Sequence, residues 1–323
     1  MPFKNKTILI TGGTGSLGKK LTEIILKEYS PKTIRIFSRG ELLQVQMQAK
    51  FADERLRFFI GDVRDKRRLH RAINGVDIII HAAALKHVPI CEYNPIEAVK
   101  TNIDGAINVI DCAINNGVEK VILTSTDKCS YPVNLYGATK LVAEKLFVQG
   151  NNYSKNHRTI FSCVRYGNVM GSRGSVIPIF QKQSKLGKVT ITDDAMTRFW
   201  ITQKQAVYFI INSLKIMKGG EIFIPKIPSM KIIDLAKVIA PDCEIEVTGI
   251  RPGEKINETL LTTEEAKHSK EFDKYFIIEP EFKFWDRDNL KGEILPDNFR
   301  YSSDKNKVWL TKKELKKILE EIK

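Results

Sequence analysis

Short apolar runs recur through the first half of the chain, each closed by small or polar residues and most followed by a segment with helical spacing. They fall at 7–11, 33–38, 58–61, 76–80, 121–124 and 160–165. Continuous apolarity over so few residues marks strands covered on both faces. Their alternation with helical patterns at 19–29, at about 95–116 and from the start of the 130s to about 149 predicts βα units in a mainly parallel, doubly wound α/β sheet. Past 165 the alternation fails. Strand patterns at 190–192, 196–200 and 221–224, with helical ones near 203–217 and 230–239, predict a smaller mixed α/β domain, and 311–323 reads as a packed terminal helix. The expected division is 1–170 for the large sheet and 171–323 mainly for the second domain, with some segments returning to the first. No internal repeat or flexible linker is visible.

Sheets of this kind bind ligands beyond the carboxyl ends of their strands, so the residues that close each run carry the chemistry. Gly12-Gly13-Thr14-Gly15-Ser16-Leu17-Gly18 stands between the first strand and the first helix. Glycines at that spacing permit a tight turn, close approach of backbone to a pyrophosphate and close packing of helix on sheet. They predict a dinucleotide site through Gly12, Thr14, Gly15, Ser16, Leu17 and Gly18. The second strand ends at Ser38-Arg39, where an NAD site would want an acidic residue for the ribose hydroxyls. A hydroxyl beside a guanidinium suits a 2′-phosphate, so NADP is the expected cofactor, with Glu41 near enough to keep NAD open. Later strand ends add Asp62, which can accept from an adenine amino group, and His81-Ala82-Ala83-Ala84, whose small residues let a cofactor lie against the backbone. His81 and His87 stand alone and read as structural.

The fifth run opens into Ser125-Thr126-Asp127-Lys128-Cys129-Ser130 and a helix start at Asn134-Leu135-Tyr136-Gly137-Ala138-Thr139-Lys140. Tyr136 and Lys140 lie four apart and share a helix face. A phenol titrates near a pKa of about 10, so an ammonium that favours the phenolate would make Tyr136 a base for hydroxyl-to-carbonyl oxidation. Alone, the pair fits a solvated helix face at least as well. Asp127 and Lys128 change the balance, because an acid and a potential base beside such a pair exceed what hydride transfer requires and point to elimination.

Further on, Tyr166-Gly167-Asn168-Val169-Met170-Gly171-Ser172-Arg173-Gly174-Ser175-Val176 has the glycines of a loop that folds over a ligand, with Asn168 and Arg173 as donors. Ile250-Arg251-Pro252-Gly253-Glu254-Lys255 is a turn whose arginine suits a diphosphate as well as it suits a surface salt bridge.

Composition narrows the classes. The chain has 323 residues, 42% of them hydrophobic, enough for a large core and a smaller one. No apolar run reaches the ~18 residues of a membrane span, and Met1-Pro2-Phe3-Lys4-Asn5-Lys6 lacks a charged-then-apolar pattern, so a soluble, cytoplasmic protein is expected. Cys91, Cys112, Cys129, Cys163 and Cys243 are odd in number and lack metal-ligand spacing, which predicts reduced thiols and no metal site, with Cys129 a small loop filler. The net charge of +14 raises nucleic acid or a membrane surface as partners. The cations are spread along the chain, and their densest run, at 312–317, has the spacing of a solvated helix face, so neither partner is expected and an anionic substrate and cofactor are.

Together these motifs resemble the extended short-chain dehydrogenase/reductase family, specifically its configuration-inverting UDP-N-acetylglucosamine 4,6-dehydratases of pseudaminic acid biosynthesis. The resemblance runs from Gly12 to about Tyr301 and is most specific in Ala84-Leu85-Lys86-His87-Val88-Pro89 and in 125–128, 134–140, 165–176, 196–202 and 251–255. It implies a Rossmann sheet with a smaller substrate domain in a homo-oligomer, dimer or hexamer. It also implies NADP contacts from Thr14 to Leu17 and from Ser38, Arg39, Asp62, Val63, Ala82, Ala84, Lys86, Thr101, Tyr136, Lys140 and Val169. UDP-N-acetylglucosamine would meet Lys86, Asn168, Arg173, Val176, Thr190, Arg251 and Glu254. Gly40 and Leu43 stand where the family usually has Asp and Lys, which leaves more of the 2′-phosphate grip to Arg39.

The implied catalytic set is Thr126, Asp127, Lys128, Tyr136 and Lys140. Tyr136, assisted by Lys140, would deprotonate the 4-hydroxyl as hydride passes from carbon 4 to NADP. Lys128 would take the carbon-5 proton while Asp127 protonates the departing 6-hydroxyl, and hydride would return to carbon 6. Proton return to carbon 5 from the opposite face would give UDP-2-acetamido-2,6-dideoxy-β-L-arabino-hex-4-ulose. Lys128 must be neutral to act, so its pKa is expected to fall from about 10.4 through burial or nearby positive charge. The rival readings are a nucleotide-sugar epimerase or dehydrogenase that uses Tyr136 and Lys140 alone, and a cofactor-sensing binding protein without turnover.

Overall fold

The computed structural model describes residues 2–154, 158–172, 174–282, 284, 285 and 290–322. Its first half follows the predicted alternation. Strand β1 (Thr7–Thr11) leads to helix α1 (Ser16–Glu28), β2 (Thr33–Ser38) to α2 (Glu41–Phe51), and β3 (Leu56–Ile60) to α3 (Lys66–Ile73). After β4 (Ile78–His81) come α4 (Val88–Tyr93), α5 (Pro95–Val99) and α6 (Gly105–Asn115); β5 (Lys120–Thr124) precedes α7 (Leu135–Gln149) and β6 (Ile160–Val164). All of β1 and β4 is buried, as continuous apolar runs require. These strands pair in parallel in the spatial order β3-β2-β1-β4-β5-β6. The order reverses between β1 and β4, which opens the crevice where doubly wound sheets hold their ligands.

The second half contributes β7 (Asn168–Val169), α8 (Val176–Ser184), β8 (Lys188–Ile191), β9 (Thr197–Ile201), α9 (Gln203–Ile216), β10 (Ile222–Pro225), β11 (Ser229–Lys231), α10 (Ile232–Ile239) and β12 (Glu244–Val247). It ends with β13 (Thr259–Leu261), α11 (Thr263–Ala266), β14 (Ser269–Glu271), β15 (Tyr275–Ile278), β16 (Glu293–Ile294), β17 (Tyr301–Ser302) and α12 (Lys312–Ile322). Strand β10 joins β6 in parallel, and β15, β14 and β16 extend the sheet antiparallel to ten strands. The rest forms three small sheets, β11-β9-β7, β12-β8 and β13-β17.

Two apolar clusters result. One surrounds the large sheet, with Ile8, Leu9, Ile10, Phe37, Val121, Phe161 and Phe223 at its centre. The other joins Met170, Phe180, Ile191, Trp200, Met230, Leu235 and Leu315. The helix expected over about 95–116 is interrupted by a π turn at Lys100–Asp104. Asn102 explains what the wide turn achieves: its amide accepts from Leu85 N–H at 2.8 Å and donates to Leu85 O at 2.9 Å and to the Thr139 hydroxyl at 3.0 Å, tying the loop after β4 to α7. All five cysteines are free thiols, four of them buried. Among the described residues no helix is long and apolar enough to cross a membrane.

Helix α12 packs on α10 through Leu315, which is fully buried. Leu315→Ala should lower the unfolding free energy by about 2–5 kcal/mol, measured by urea denaturation, through the lost contacts and the cavity left behind.

Candidate active site at the ends of the central strands

Strand β5 runs out at Thr124, and a single 3-10 turn, Asp127–Cys129, follows. Thr126 begins that turn by accepting the Lys128 N–H at 3.4 Å, and the Asp127 N–H donates to Tyr166 O at 3.2 Å. Cys129 donates to Thr126 O at 2.8 Å, so the thiol fills and fastens the loop. Asn134 then caps α7 by accepting from Gly137 N–H at 2.8 Å. A β-carbon at Gly137 would lie 2.1 Å from Lys128 O, so only glycine lets the first turn of α7 rest on the backbone of the 3-10 turn. That contact brings Tyr136 up to Asp127 and Lys128.

Asp127 is fully buried. Its Oδ1 accepts from Lys128 Nζ at 2.9 Å and from the Thr126 hydroxyl at 3.1 Å, while Oδ2 is buried with no hydrogen-bond partner. Lys128 Nζ also lies 3.4 Å from Glu258 Oε1 and donates to Asn168 Oδ1 at 3.4 Å. Glu258 is buried; Arg198 Nε approaches the same Oε1 at 3.9 Å, and Lys255 Nζ lies 3.3 Å from the other oxygen, Oε2. Burial would push the Lys128 ammonium down, but the Asp127 and Glu258 carboxylates outweigh it and raise the group above its ordinary value. The expected fall is therefore reversed in the protein itself, because two carboxylates flank the amine. Burial raises Asp127 above the usual carboxylate range against the pull of Lys128, with Glu258 adding to the rise. Burial also pushes Glu258 up, yet Lys128, Arg198 and Lys255 together bring it below its ordinary value.

Burial pushes the Tyr136 phenol up to about 12; the largest opposing charge is the Lys128 ammonium, followed by a hydrogen bond with Thr126. The helper expected in Lys140 is thus found first in Lys128. Lys140 is buried one turn further along α7; burial lowers its ammonium and Glu144, one more turn on, raises it. Glu144 in turn is bound by Arg165, which closes β6 and is completely buried. Arg165 donates to both Glu144 oxygens at 3.0 and 2.6 Å, to both Glu265 oxygens at 2.9 and 2.8 Å, to the Ser130 hydroxyl at 2.9 Å and to Leu260 O at 3.0 Å. One guanidinium thereby fixes α7, the 3-10 turn and the α11 region together.

The crevice beside β1 fits a dinucleotide. A β-carbon at Gly12 (φ +64°) would come within 2.9 Å of the Ala83 backbone, and one at Gly18 within 2.4 Å of Gly13 O. Gly15 caps α1 without a side chain, leaving its N-terminal face to a phosphate. Thr14, Ser16 and Leu17 complete that turn; Ala82 and Ala84 follow β4, Val63 packs against Gly105, and Val169 lies in β7. Thr101, in the π turn, has a buried hydroxyl oxygen with no hydrogen-bond partner. At the end of β2, Gln44 donates to Ser38 O and Oγ at 3.0 Å each, Arg39 is largely exposed, and its guanidinium lies 3.9 Å from Asp62. Asp62 is meanwhile gripped by Arg64 at 2.7 and 3.0 Å. His81 accepts or donates with Thr11 at 2.7 Å, stacks on Phe147 and is pushed down to about 3 by burial and then by Lys140, so it stays neutral and structural.

On the opposite side, Asn168 meets Lys128, whereas Val176 begins α8 and Thr190, in β8, accepts from Gln183 at 2.8 Å. Burial lowers the Lys86 ammonium, and the Lys128 charge adds to the fall. Arg251 is exposed, 3.9 Å from Glu254, and Glu254 Oε2 is buried without a hydrogen-bond partner. That turn docks on the loop between β5 and α7 through Asn134 donating to Gly253 O at 2.8 Å and Lys255 donating to Ser130 O at 2.7 Å. Arg173 lies outside the described residues. Sequence reasoning missed Glu258, Arg198, Glu144 and the Arg165 hub as participants. The signal available for Arg198 was a lone cation in an otherwise apolar strand.

The family model described as polysaccharide biosynthesis protein matches residues 8–280. The chain is 52% identical, over 98% of both chains, to a UDP-N-acetylglucosamine 4,6-dehydratase (inverting) of Campylobacter jejuni. It is 40% identical to a UDP-glucose 4-epimerase of Rickettsia akari, over 98% of this chain and 96% of that one. Among solved structures, Pen from Bacillus thuringiensis superposes with a TM-score of 0.91 at 41% identity, covering 99% of this chain and 100% of that one.

The hub predicts an acid lability. Burial raises the Glu265 carboxyl but Arg165 outweighs it and holds it at about 2, against 4.5 when unpaired. A folded value below the unfolded one stabilises above about pH 4.5 and is lost as pH falls toward 2. Thermal unfolding across that window should show a loss on the order of 3 kcal/mol from this group, and Glu265→Gln should flatten the slope.

Proposed function

The chain belongs to the polysaccharide biosynthesis protein family, and from that premise we propose that it dehydrates UDP-N-acetylglucosamine with inversion at carbon 5 to UDP-2-acetamido-2,6-dideoxy-β-L-arabino-hex-4-ulose. The observation that carries this is the 2.9 Å contact between a fully buried Asp127 and Lys128 beside Tyr136. The similarity to the inverting dehydratase of Campylobacter jejuni supports it.

A nicotinamide dinucleotide in the glycine crevice would supply a transient hydride acceptor for carbon 4 and return the hydride to carbon 6. Everything else falls to the chain's own groups. Tyr136 receives the 4-hydroxyl proton, with the Lys128 and Lys140 ammonium groups favouring the phenolate and Thr126 holding the phenol by a hydrogen bond. The 4-ketone acidifies the hydrogen on carbon 5. Asp127 and Lys128 both hold protons more firmly than usual, so the pair titrates as a unit. Passing one proton across the 2.9 Å contact turns carboxylate and ammonium into carboxylic acid and amine. The amine then takes the carbon-5 proton while the acid protonates the departing 6-hydroxyl. Water leaves, and the pair is back at carboxylate and ammonium; as the hydride would return to carbon 6, a proton from solvent adds to the opposite face of carbon 5 and Tyr136 releases the proton it took, which closes the balance.

The same reading gives NADP rather than NAD, from Ser38 and Arg39, with Gly12, Thr14, Gly15, Ser16, Leu17, Gly18, Asp62, Val63, Ala82, Ala84, Lys86, Thr101 and Val169 lining the cofactor. Asn168, Val176, Thr190, Arg251 and Glu254 face the UDP-sugar. It assigns 1–170 to the cofactor and 171–323 mainly to the substrate, and a cytoplasmic homo-oligomer that opens pseudaminic acid or a related surface-glycan pathway. The rival is epimerisation, favoured by the similarity to the Rickettsia akari epimerase.

Incubation with UDP-N-acetylglucosamine in deuterated water separates the two. Dehydration gives a 6-deoxy-4-keto product with deuterium at carbon 5, and a 4-epimer with an intact 6-hydroxyl would sink the proposal. Asp127→Asn and Lys128→Ala should each lose on the order of 10²-fold or more in turnover, whereas an epimerase would keep most of it. For the cofactor, calorimetry should show Arg39→Ala weakening NADP binding by about ten-fold or more with NAD binding unchanged; equal effects on both would remove the preference for NADP.

A further inference from the structure

Lys128 is flanked by more than the acid of its own turn. Asp127 adjoins it, Asn168 faces it from β7, Tyr136 from α7 and Lys86 from the loop after β4, while Arg198 of β9 acts from further off. The second negative charge within ion-pair distance is Glu258, at 3.4 Å. Glu258 directly precedes β13, where its backbone N–H donates to the Ser303 hydroxyl at 2.9 Å and its carbonyl accepts from Ser303 N–H at 2.8 Å. Its Oε2, which has no hydrogen-bond partner, lies within ion-pair distance of Lys255 at 3.3 Å, and the Lys255 ammonium donates to Ser130 O at 2.7 Å just past the 3-10 turn. A carboxylate buried to this degree needs its cations, and among the described residues Lys128, Arg198 and Lys255 supply them.

We propose that Glu258 is a positioning residue for the elimination: anchored by Lys255 and Arg198, it holds the Lys128 amine beside Asp127 and sets how firmly that pair keeps its proton. The inference rests on the dehydratase reading and deepens it. With one carboxylate, Lys128 could swing about Asp127 on a flexible stem; with two on different segments, the amine is confined between them. The arrangement also joins the base to the turn that carries Arg251 and Glu254, because residues 251–258 form one continuous segment that docks on the catalytic loop at Asn134 and Ser130.

The consequence for pH has a definite sign. The pair is inactive when it holds two protons, because the amine is then charged, and inactive when it holds none, because no acid is left. Turnover is therefore bell-shaped, and the negative charge of Glu258 raises both limbs. Glu258→Gln, which keeps the shape and removes the charge, should shift both limbs of the kcat profile for UDP-N-acetylglucosamine to lower pH by about one unit. Glu258→Asp, which keeps the charge and withdraws it by one methylene, should shift them less and restore most of the turnover. A folded Glu258→Gln enzyme whose turnover falls with both limbs unmoved would overturn the proposal by reducing Glu258 to a structural role. Should Glu258→Gln fail to fold, limbs in Glu258→Asp that move upward or stay fixed would overturn it equally. A wild-type enzyme that leaves the 6-hydroxyl in place would instead remove the dehydratase reading, and this inference with it.

Discussion

A single ammonium held between two buried carboxylates organises the reactive end of this molecule. Lys128 lies 2.9 Å from Asp127 and 3.4 Å from Glu258, and neither acid has bulk solvent to share its charge with. Isolated charges at such depth would cost several kcal/mol each, so the cluster persists only because Lys255 and Arg198 balance the second carboxylate. The result is a group of protons held tightly but close enough to be exchanged. That is the condition elimination needs: an acid and a base that regenerate each other.

The fold supplies that condition from three directions. The end of β5 gives the acid and the amine, the start of α7 gives the phenol, and the segment before β13 gives the counter-carboxylate. Gly137 allows the first two to touch, since any β-carbon there would strike Lys128 O. Arg165 ties the middle of α7, the residue after the 3-10 turn, β13 and α11 together through Glu144, Ser130, Leu260 and Glu265. In the proposed elimination, stability and chemistry thus share a scaffold, with Arg165 bearing the structural load and Lys128 left for the reaction.

How much of this was legible follows from the range of the interactions. The βα alternation, the glycine turn and the 125–140 stretch are local patterns, and the sequence carries them directly. The parallel sheet and the approach of Tyr136 to Asp127 and Lys128 follow from strand order and helical spacing. The π turn at Lys100–Asp104 was not legible, because it answers to Asn102 bonding with Leu85 and Thr139 rather than to any local breaker. Nor was the direction in which Lys128 shifts. Burial alone would lower it, and the sign is reversed by Asp127 together with Glu258, the second of which arrives from a distant segment as an ordinary-looking acid ahead of a short strand.

The central claim is that the Asp127–Lys128 pair faces carbons 5 and 6 of a hexose. The most direct measurement is a structure of the complex with UDP-N-acetylglucosamine and the nicotinamide cofactor. The account predicts Lys128 Nζ within about 3–3.5 Å of carbon 5 and the Asp127 carboxyl within hydrogen-bond reach of the 6-hydroxyl. A hexose seated against Tyr136 with both groups pointing away from carbons 5 and 6 would contradict it.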